Sequence, residues 1–262
     1  MNDMEVNYKW PIVDLEGMKL HAINEHACVQ HIVAQLNQGK GGWIITANAD
    51  HLRRYTLDPV YRELVEAADL VVADGMPLIW LSSIQGTPLP QRIAGSSMVH
   101  TLTCAAAEHH RSLFLLGGDP GVAEEAAVVL KTRHPDLKIA GIYCPKYGFE
   151  KQDQLMDQLR QAVIEAGPDI IYVALGSPKQ ERLIRELRKE LPLAWWLGVG
   201  ISLSFITGRV RRAPWWVQKV GMEWMHRLFQ EPRRLAKRYL MEDLPFIVRL
   251  ILKVTYRRYL GS

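Results

Sequence analysis

The first chemical feature of this chain is an acidic side chain at the end of a buried strand. Asp74 follows the apolar run Leu70-Val71-Val72-Ala73 and precedes Gly75, so a strand entering the core ends on a carboxylate. Trp43-Ile44-Ile45 runs in the same way into Thr46-Ala47-Asn48-Ala49-Asp50. Two such strands deliver polar groups to one edge of a sheet. In open α/β sheets the edge outside the carboxyl ends of the strands is where ligands bind. Asp74 is therefore the candidate general base. The dipeptide alone leaves two other roles open, a turn-forming Asp-Gly and a helix N-cap ahead of Met76.

Two further strand ends carry glycine turns. Leu113-Phe114-Leu115-Leu116-Gly117-Gly118-Asp119-Pro120-Gly121 reads as a strand, a Gly-rich turn and a helix start, and free backbone N–H groups at such a helix terminus suit a phosphate or the polar edge of a nucleotide, which makes Gly117 and Gly118 candidate substrate-binding positions. Ala174-Leu175-Gly176-Ser177-Pro178-Lys179-Gln180-Glu181 is similar. There Ser177 can cap a helix, and Lys179 or Gln180 can reach a ligand. Arg92, in the Pro-containing segment Leu89-Pro90-Gln91-Arg92, offers the planar fork that recognises phosphate. The histidines, His109-His110 included, lack metal-ligand spacing, and the strand ends carry no DxD or HExxH, so no essential metal is expected.

These groups need a scaffold, and the chain is long enough to supply one. At 262 residues and 48% apolar it can bury one large core, alone or with an appendage. Short apolar runs at 43–46, 70–73, 112–116, 138–142, 169–174 and 194–197 predict strands. The segments 58–67, 96–110, 121–133, 151–166 and 178–190 have helical apolar spacing. Such alternation predicts an α/β fold, a Rossmann-like, mostly parallel sheet flanked by helices. The first 40 residues predict a hairpin around Glu16-Gly17 and a helix over 25–37. Cys28, Cys104 and Cys144 are far apart and form no CxxC pair, which fits a reducing compartment. Asp3 and Glu5 with no apolar segment argue against a secretory leader. The 18 uncharged positions from Leu191 to Gly208 are broken by Pro192, Gly198 and Gly200, and read as a buried strand and loop rather than a membrane span.

The net charge of +4 is unevenly spread. From Arg209 onward 13 Lys/Arg face 4 Asp/Glu, whereas the first 208 residues hold 19 against 24. The expected division is therefore an α/β domain over 1–208 and a basic helical appendage over 209–262. Such asymmetry points to an anionic partner. One or two helices are expected over 215–240, and Asp243 with Pro245 suits a new start over 244–259. In that last helix Arg249, Lys253 and Arg257 form a basic row, while Ile247, Leu250, Ile251 and Val254 line another face. It can lie in a membrane interface, with Trp215, Trp216, Trp224, Tyr239, Tyr256 and Tyr259 as interfacial aromatics, or pack on protein.

Taken together, these segments resemble the WecB/TagA/CpsF family of bacterial glycosyltransferases (glycosyltransferase family 26). The resemblance covers roughly residues 12 to 240. It rests on Thr46-Ala47-Asn48-Ala49-Asp50, Ala73-Asp74-Gly75-Met76-Pro77, Gln91-Arg92-Ile93-Ala94-Gly95, Leu116-Gly117-Gly118, Leu175-Gly176-Ser177-Pro178-Lys179-Gln180-Glu181, Gly198-Val199-Gly200, Arg212-Ala213-Pro214 and Glu223-Trp224-Met225-His226-Arg227 with Glu231-Pro232-Arg233-Arg234. Eight segments in the family order are far more specific than any one of them. In one place the chain departs from many relatives: Ile201-Ser202-Leu203-Ser204-Phe205 lacks the acidic residue they carry after Gly-Val-Gly.

The resemblance implies an inverting, metal-independent transferase without a cofactor, moving a sugar from a UDP-sugar to a polyprenyl-pyrophosphate-linked sugar in cell-surface polysaccharide synthesis. It further implies a cytoplasmic protein, peripheral on the anionic inner membrane surface. By the same resemblance Asp74 is the base, Thr46 and Asn48 line the sugar pocket, Gln180 contacts substrate and Arg92 meets phosphate. The appendage is similar to a membrane-docking lid in which Arg227, Arg234 and Lys237 serve the diphosphate. The donor sugar, the acceptor glycan and a homo-oligomer stay open. A nucleotide-dependent oxidoreductase is disfavoured by the missing GxGxxG, and a nucleic-acid-binding role of the basic tail by the acidic front half with its two polar strand ends, so no nucleic-acid partner is expected.

Overall fold

The computed structural model describes residues 10–219 and 221–259. Asp3 and Glu5 and the side chain of Tyr259 lie outside what is described. The chain opens with a hairpin, β1 (Ile12–Leu15) and β2 (Met18–His21). Its turn uses positive φ at Glu16 and Gly17, closed by the Gly17 N–H donating to Asp14 Oδ1 at 2.7 Å. There follow α1 (Glu25–Asn37), β3 (Gly42–Ala47), α2 (Ala49–Leu57), α3 (Pro59–Glu66), β4 (Leu70–Ala73), α4 (Met76–Gln85), α5 (Gly95–Glu108), β5 (Ser112–Gly117), α6 (Val122–Arg133), β6 (Lys138–Tyr143), α7 (Asp153–Ala166), β7 (Ile170–Ala174), α8 (Lys179–Leu187), β8 (Trp195–Gly198) and α9 (Ser202–Ile206).

Among the described residues the main sheet holds six strands, all parallel, in the order β4-β3-β8-β7-β5-β6. Both faces are covered, which is why the strands read as unbroken apolar runs rather than alternating ones. On one face Trp43, Ile45, Val71, Phe114, Ile171 and Trp196 pack under α2, α3, α4, α7 and α8 with the hairpin. On the other, Ile44, Val72, Leu115, Tyr172 and Leu197 pack under α1, α5, α6 and α9. The expected strands and the helices over 25–37, 58–67, 96–110, 121–133, 151–166 and 178–190 are all present within a few residues. The sequence reading omitted α2 and α4, and took the segment that forms α9 for a loop.

The tail forms α10 (Trp215–Lys219), α11 (Glu223–Gln230), α12 (Pro232–Ala236), a π-helical stretch Lys237–Asp243 and α13 (Leu244–Tyr259). The break expected before residue 244 is not there. Helical backbone continues through the π stretch, in which i→i+5 bonding absorbs an extra residue per turn. Asp243 is buried inside it and accepts from Arg53 Nε of α2 at 3.1 Å, while Arg53 Nη2 donates to Glu242 at 2.7 Å. Ile247, Leu250 and Val254 of α13 are buried in the same core face as α4. Arg258 donates to the carbonyls of Ser83 and Ile84 at the end of α4, where a cation meets the negative end of the helix dipole. Leu244, Val248, Leu252 and Tyr256, spaced by four, form a second, outward apolar stripe on α13. Among the described residues no helix is long and apolar enough to cross a membrane.

Candidate active site

A cleft of about 1240 Å³ opens at the carboxyl ends of the strands and is roofed by the tail. Its floor brings together Thr46 from β3, Asn48 at the start of α2, Asp74 after β4, Gly118 after β5, Gln180 in α8 and Gly198 of β8. Arg92 lines one side; Trp224, Arg227, Glu231, Arg234, Arg238 and Tyr239 come from the tail. Gly117 ends β5 one residue behind the lining, with φ +92. Lys237 is exposed and is not among the residues lining the cleft; Arg238, its neighbour, takes that place.

Asp74 extends the pairing of β4 with β3 by one step, its N–H donating to the Ala47 carbonyl at 2.7 Å. It does not cap α4, whose N-cap is Gly75. Instead its Oδ2 accepts the Gly95 N–H at the start of α5, at 3.3 Å. That approach depends on glycine: a Cβ at Gly95 would stand 2.9 Å from Thr46 Oγ1 and 3.8 Å from Asp74 Oδ2. Burial pushes the Asp74 carboxyl up from 3.8 to about 6, opposed by Arg92, assisted by Glu223, and opposed again by the Gly95 N–H and His51. A carboxyl titrating near neutrality suits general-base work.

Arg92 is engaged. Its Nη1 donates to Glu223 Oε2 at 3.1 Å, and Arg212 reaches the other oxygen of Glu223 at 3.4 Å while donating to Ser97 Oγ at 2.8 Å. One tail carboxylate thus ties two guanidinium groups to α5 and the cleft wall. Arg227 stacks over Phe205 at 5.9 Å and lies 3.8 Å from Glu231. Arg234 pairs with Glu231 as well, and Arg238 stacks over Tyr239 at 4.6 Å.

Asn48 is the N-cap of α2. Its Oδ1 accepts from the Asp50 and His51 N–H groups at 3.0 and 3.3 Å and sits 2.8 Å from His51 Nδ1. Ser177 does not cap α8; the N-cap is Pro178, and the Ser177 hydroxyl is 3.1 Å from that of Tyr61. Gln180 is buried with both ends of its amide engaged, Nε2 donating to Glu181 Oε1 at 2.9 Å and Oε1 accepting from the Gly200 N–H at 3.2 Å. It lies flat on Gly198, where a Cβ would come within 2.5 Å of Nε2. Among the described residues no group of three or more His, Cys, Asp or Glu is placed to hold a metal.

Sequence reasoning missed His51, Glu181, Arg212, Glu223 and Arg238. For Arg238 a signal existed, because 227, 231, 234 and 238 follow helical spacing on one stripe. Glu223 and Arg212 had none, since their meeting with Arg92 depends on how the tail folds back.

Comparison with known proteins gives the family. The glycosyl transferase WecG/TagA/CpsF family matches residues 13–259. An N-acetylglucosaminyldiphosphoundecaprenol N-acetyl-beta-D-mannosaminyltransferase of Bacillus spizizenii is 32% identical over 226 residues, covering 86% of this chain and 84% of the relative. Matched by the family model over nearly its whole length, and by a relative over most of it, the chain belongs to the WecG/TagA/CpsF family of glycosyltransferases.

Proposed function

We propose that this glycosyltransferase moves a sugar from a UDP-sugar to a polyprenyl-diphosphate-linked sugar, with inversion and without a metal, in cell-surface polysaccharide synthesis. The observation that carries the reading is the Asp74 carboxyl, held by the Gly95 N–H at the strand ends and raised by burial to about 6, in a cleft whose lining includes Arg227, Arg234 and Arg238; Asp243, raised likewise, is instead paired with Arg53. The acceptor and its diphosphate come from the relative's name.

In this mechanism the acceptor hydroxyl oxygen attacks the anomeric carbon as the bond from that carbon to the UDP oxygen breaks on the opposite face. The hydroxyl proton passes to Asp74, and UDP leaves with the electron pair. Thr46 and Asn48 line the sugar side; Gly118 lines the cleft as well, but its N–H is donated to the Ala174 carbonyl at 2.8 Å, so the free N–H pair expected at Gly117-Gly118 is not available to the nucleotide. Arg92, Arg227, Arg234 and Arg238 stabilise phosphate charge, the task a metal performs elsewhere. Arg238 is preferred to Lys237 for this role because it lines the cleft and brings a bidentate fork. Residues 1–208 then act as the catalytic domain and 209–262 as its lid and membrane-facing part. The outward stripe Leu244, Val248, Leu252 and Tyr256, with Arg249 on the same helix and Trp215 and Trp216 exposed earlier in the tail, supports a peripheral place on an anionic inner membrane surface, although Lys253 and Arg257 of the expected basic row turn to Glu16 of the hairpin.

The test is UDP release from a panel of UDP-sugars with detergent-solubilised polyprenyl-diphosphate-sugar acceptors and a chelator present. Acceptor-dependent release with one donor is expected. Release that needs added divalent cation sinks the metal-free mechanism, and silence across the panel sinks the reaction.

A further inference from the structure

Behind the cleft floor lies a buried polar chain that the mechanism above does not use. Asn48 belongs to α2 and Gln180 to α8, far apart in sequence. Between them stand His51 and Glu181, 6% and 2% exposed. Two backbone N–H groups donate to Asn48 Oδ1, which fixes that atom as the oxygen and leaves the Asn48 NH₂ free of this cap. His51 Nδ1, at 2.8 Å from the same oxygen, must therefore be the donor. The other ring nitrogen, Nε2, faces Glu181 Oε1 at 3.5 Å. Glu181 Oε1 in turn accepts the Gln180 amide. Burial pushes the Glu181 carboxyl up, but hydrogen bonding and attraction from His51, with the Gln180 amide, hold it below its usual range.

A buried carboxylate is expensive to keep and is retained where it fixes a geometry. The apolar faces of α2 and α8 pack on the sheet around it. We infer that His51 and Glu181 are positioning residues: the imidazole locks the Asn48 amide with its NH₂ toward the cleft, and the carboxylate locks the Gln180 amide against Gly198. Both amides thereby meet the donor sugar in one preset orientation. The inference rests on the proposed transfer from a UDP-sugar.

Two substitutions at one position separate orientation from packing. His51→Asn keeps a donor nitrogen at the δ position, within reach of Asn48 Oδ1, and loses the link to Glu181. His51→Gln keeps a nitrogen at the ε position and loses the donor to Asn48. Each is measured for thermal unfolding, for UDP-sugar binding by calorimetry, and for kcat and KM in UDP release. The expected result is that H51N binds the UDP-sugar within about 3-fold of the unchanged protein, while H51Q weakens binding and raises KM by about 10-fold, the share of one well-placed hydrogen bond. H51N, which leaves the Glu181 carboxylate without its ring partner, melts below H51Q, so the variant that binds the sugar nucleotide better is the less stable of the two. Equal losses in the two variants, or none in either, overturn the inference. If the unchanged protein binds a UDP-sugar yet transfers it to no acceptor, the proposed reaction fails, and the binding comparison still decides the role of His51. Failure of the unchanged protein to bind any UDP-sugar overturns both.

Discussion

Replacing Asp74 by Asn should make the protein more stable at neutral pH while removing most of its activity. Folding raises the carboxyl from 3.8 to about 6. The unfolded chain therefore loses this proton at lower pH than the folded one, and the native state loses stability as pH rises from about 4 to about 6. A gap of this size corresponds to at most about 3 kcal/mol. Asp74 keeps part of its exposure to the cleft, whose solvent screens the charge, so about half of that is realised. For a chain of this size about 1.5 kcal/mol raises the melting temperature by about 3 to 6 °C. Asn is nearly isosteric and can still accept the Gly95 N–H, so the fold should survive. Thermal melts of both proteins from pH 3.5 to 8 should coincide at the acid end, diverge through pH 4 to 6 and run parallel above. UDP release by the variant should fall by about 10² to 10⁴, the share of a positioned base. A variant less stable than the original at pH 7.5 would refute the desolvation argument, and near-normal turnover would remove Asp74 from proton transfer.

Glu223 raises the Asp74 carboxyl and Arg92 lowers it, so the two should move the acidic limb of the kcat/KM profile in opposite directions. Glu223→Gln is expected to shift it to lower pH and Arg92→Met to higher pH; shifts of the same sign, or none, contradict the assignment of Asp74 to that limb. On the membrane side, Val248→Glu with Leu252→Glu should sharply reduce binding to vesicles containing anionic lipid, as should added salt for the unchanged protein, with little change in melting temperature because both side chains are exposed. Undiminished binding places the contact elsewhere. Deleting α13 is the poorer test, since Ile247, Leu250 and Val254 belong to the core and their loss would disturb the fold itself.

The six main-sheet strands were legible because each is buried on both faces and bounded by turn residues. Two of the omitted helices, α2 and α4, show where that signal fails. α2 begins directly after β3 and carries Asp50, His51, Arg53 and Arg54, so it reads as a polar loop; its order comes from the Asn48 cap and from Arg54 and Arg53 gripping Asp50. α4 is apolar on most sides, as befits a helix between the sheet and α13, and so has no stripe to read. Asp74 was visible as a carboxylate ending a strand, yet its partners Gly95, Arg92 and Glu223 come from a loop and the tail. The pairing of His51 with Glu181 was out of reach because it depends on where β8 is inserted, which no local pattern encodes. Lys237 was chosen through family likeness, whereas the spacing of Arg227, Arg234 and Arg238 already marked the stripe that lines the cleft.

The strand order has a consequence for how the protein is made. β8, last of the strands to be synthesised, lies between β3 and β7 and hydrogen-bonds to both. Until Trp195–Gly198 leaves the ribosome, the nascent chain holds a two-stranded piece and a three-stranded piece, each with an open parallel edge that carries a pair of isoleucines, Ile44-Ile45 or Ile170-Ile171. No shorter product has Asp74 and Gln180 on one sheet, so a truncated chain can neither complete the cleft nor carry partial activity. At about 5 to 20 residues per second the interval from β4 to β8 lasts about 6 to 25 seconds. During it the two edges are exposed to wrong partners. Yield in a cell should accordingly depend on chaperones that shield those edges more than on the final stability of the sheet.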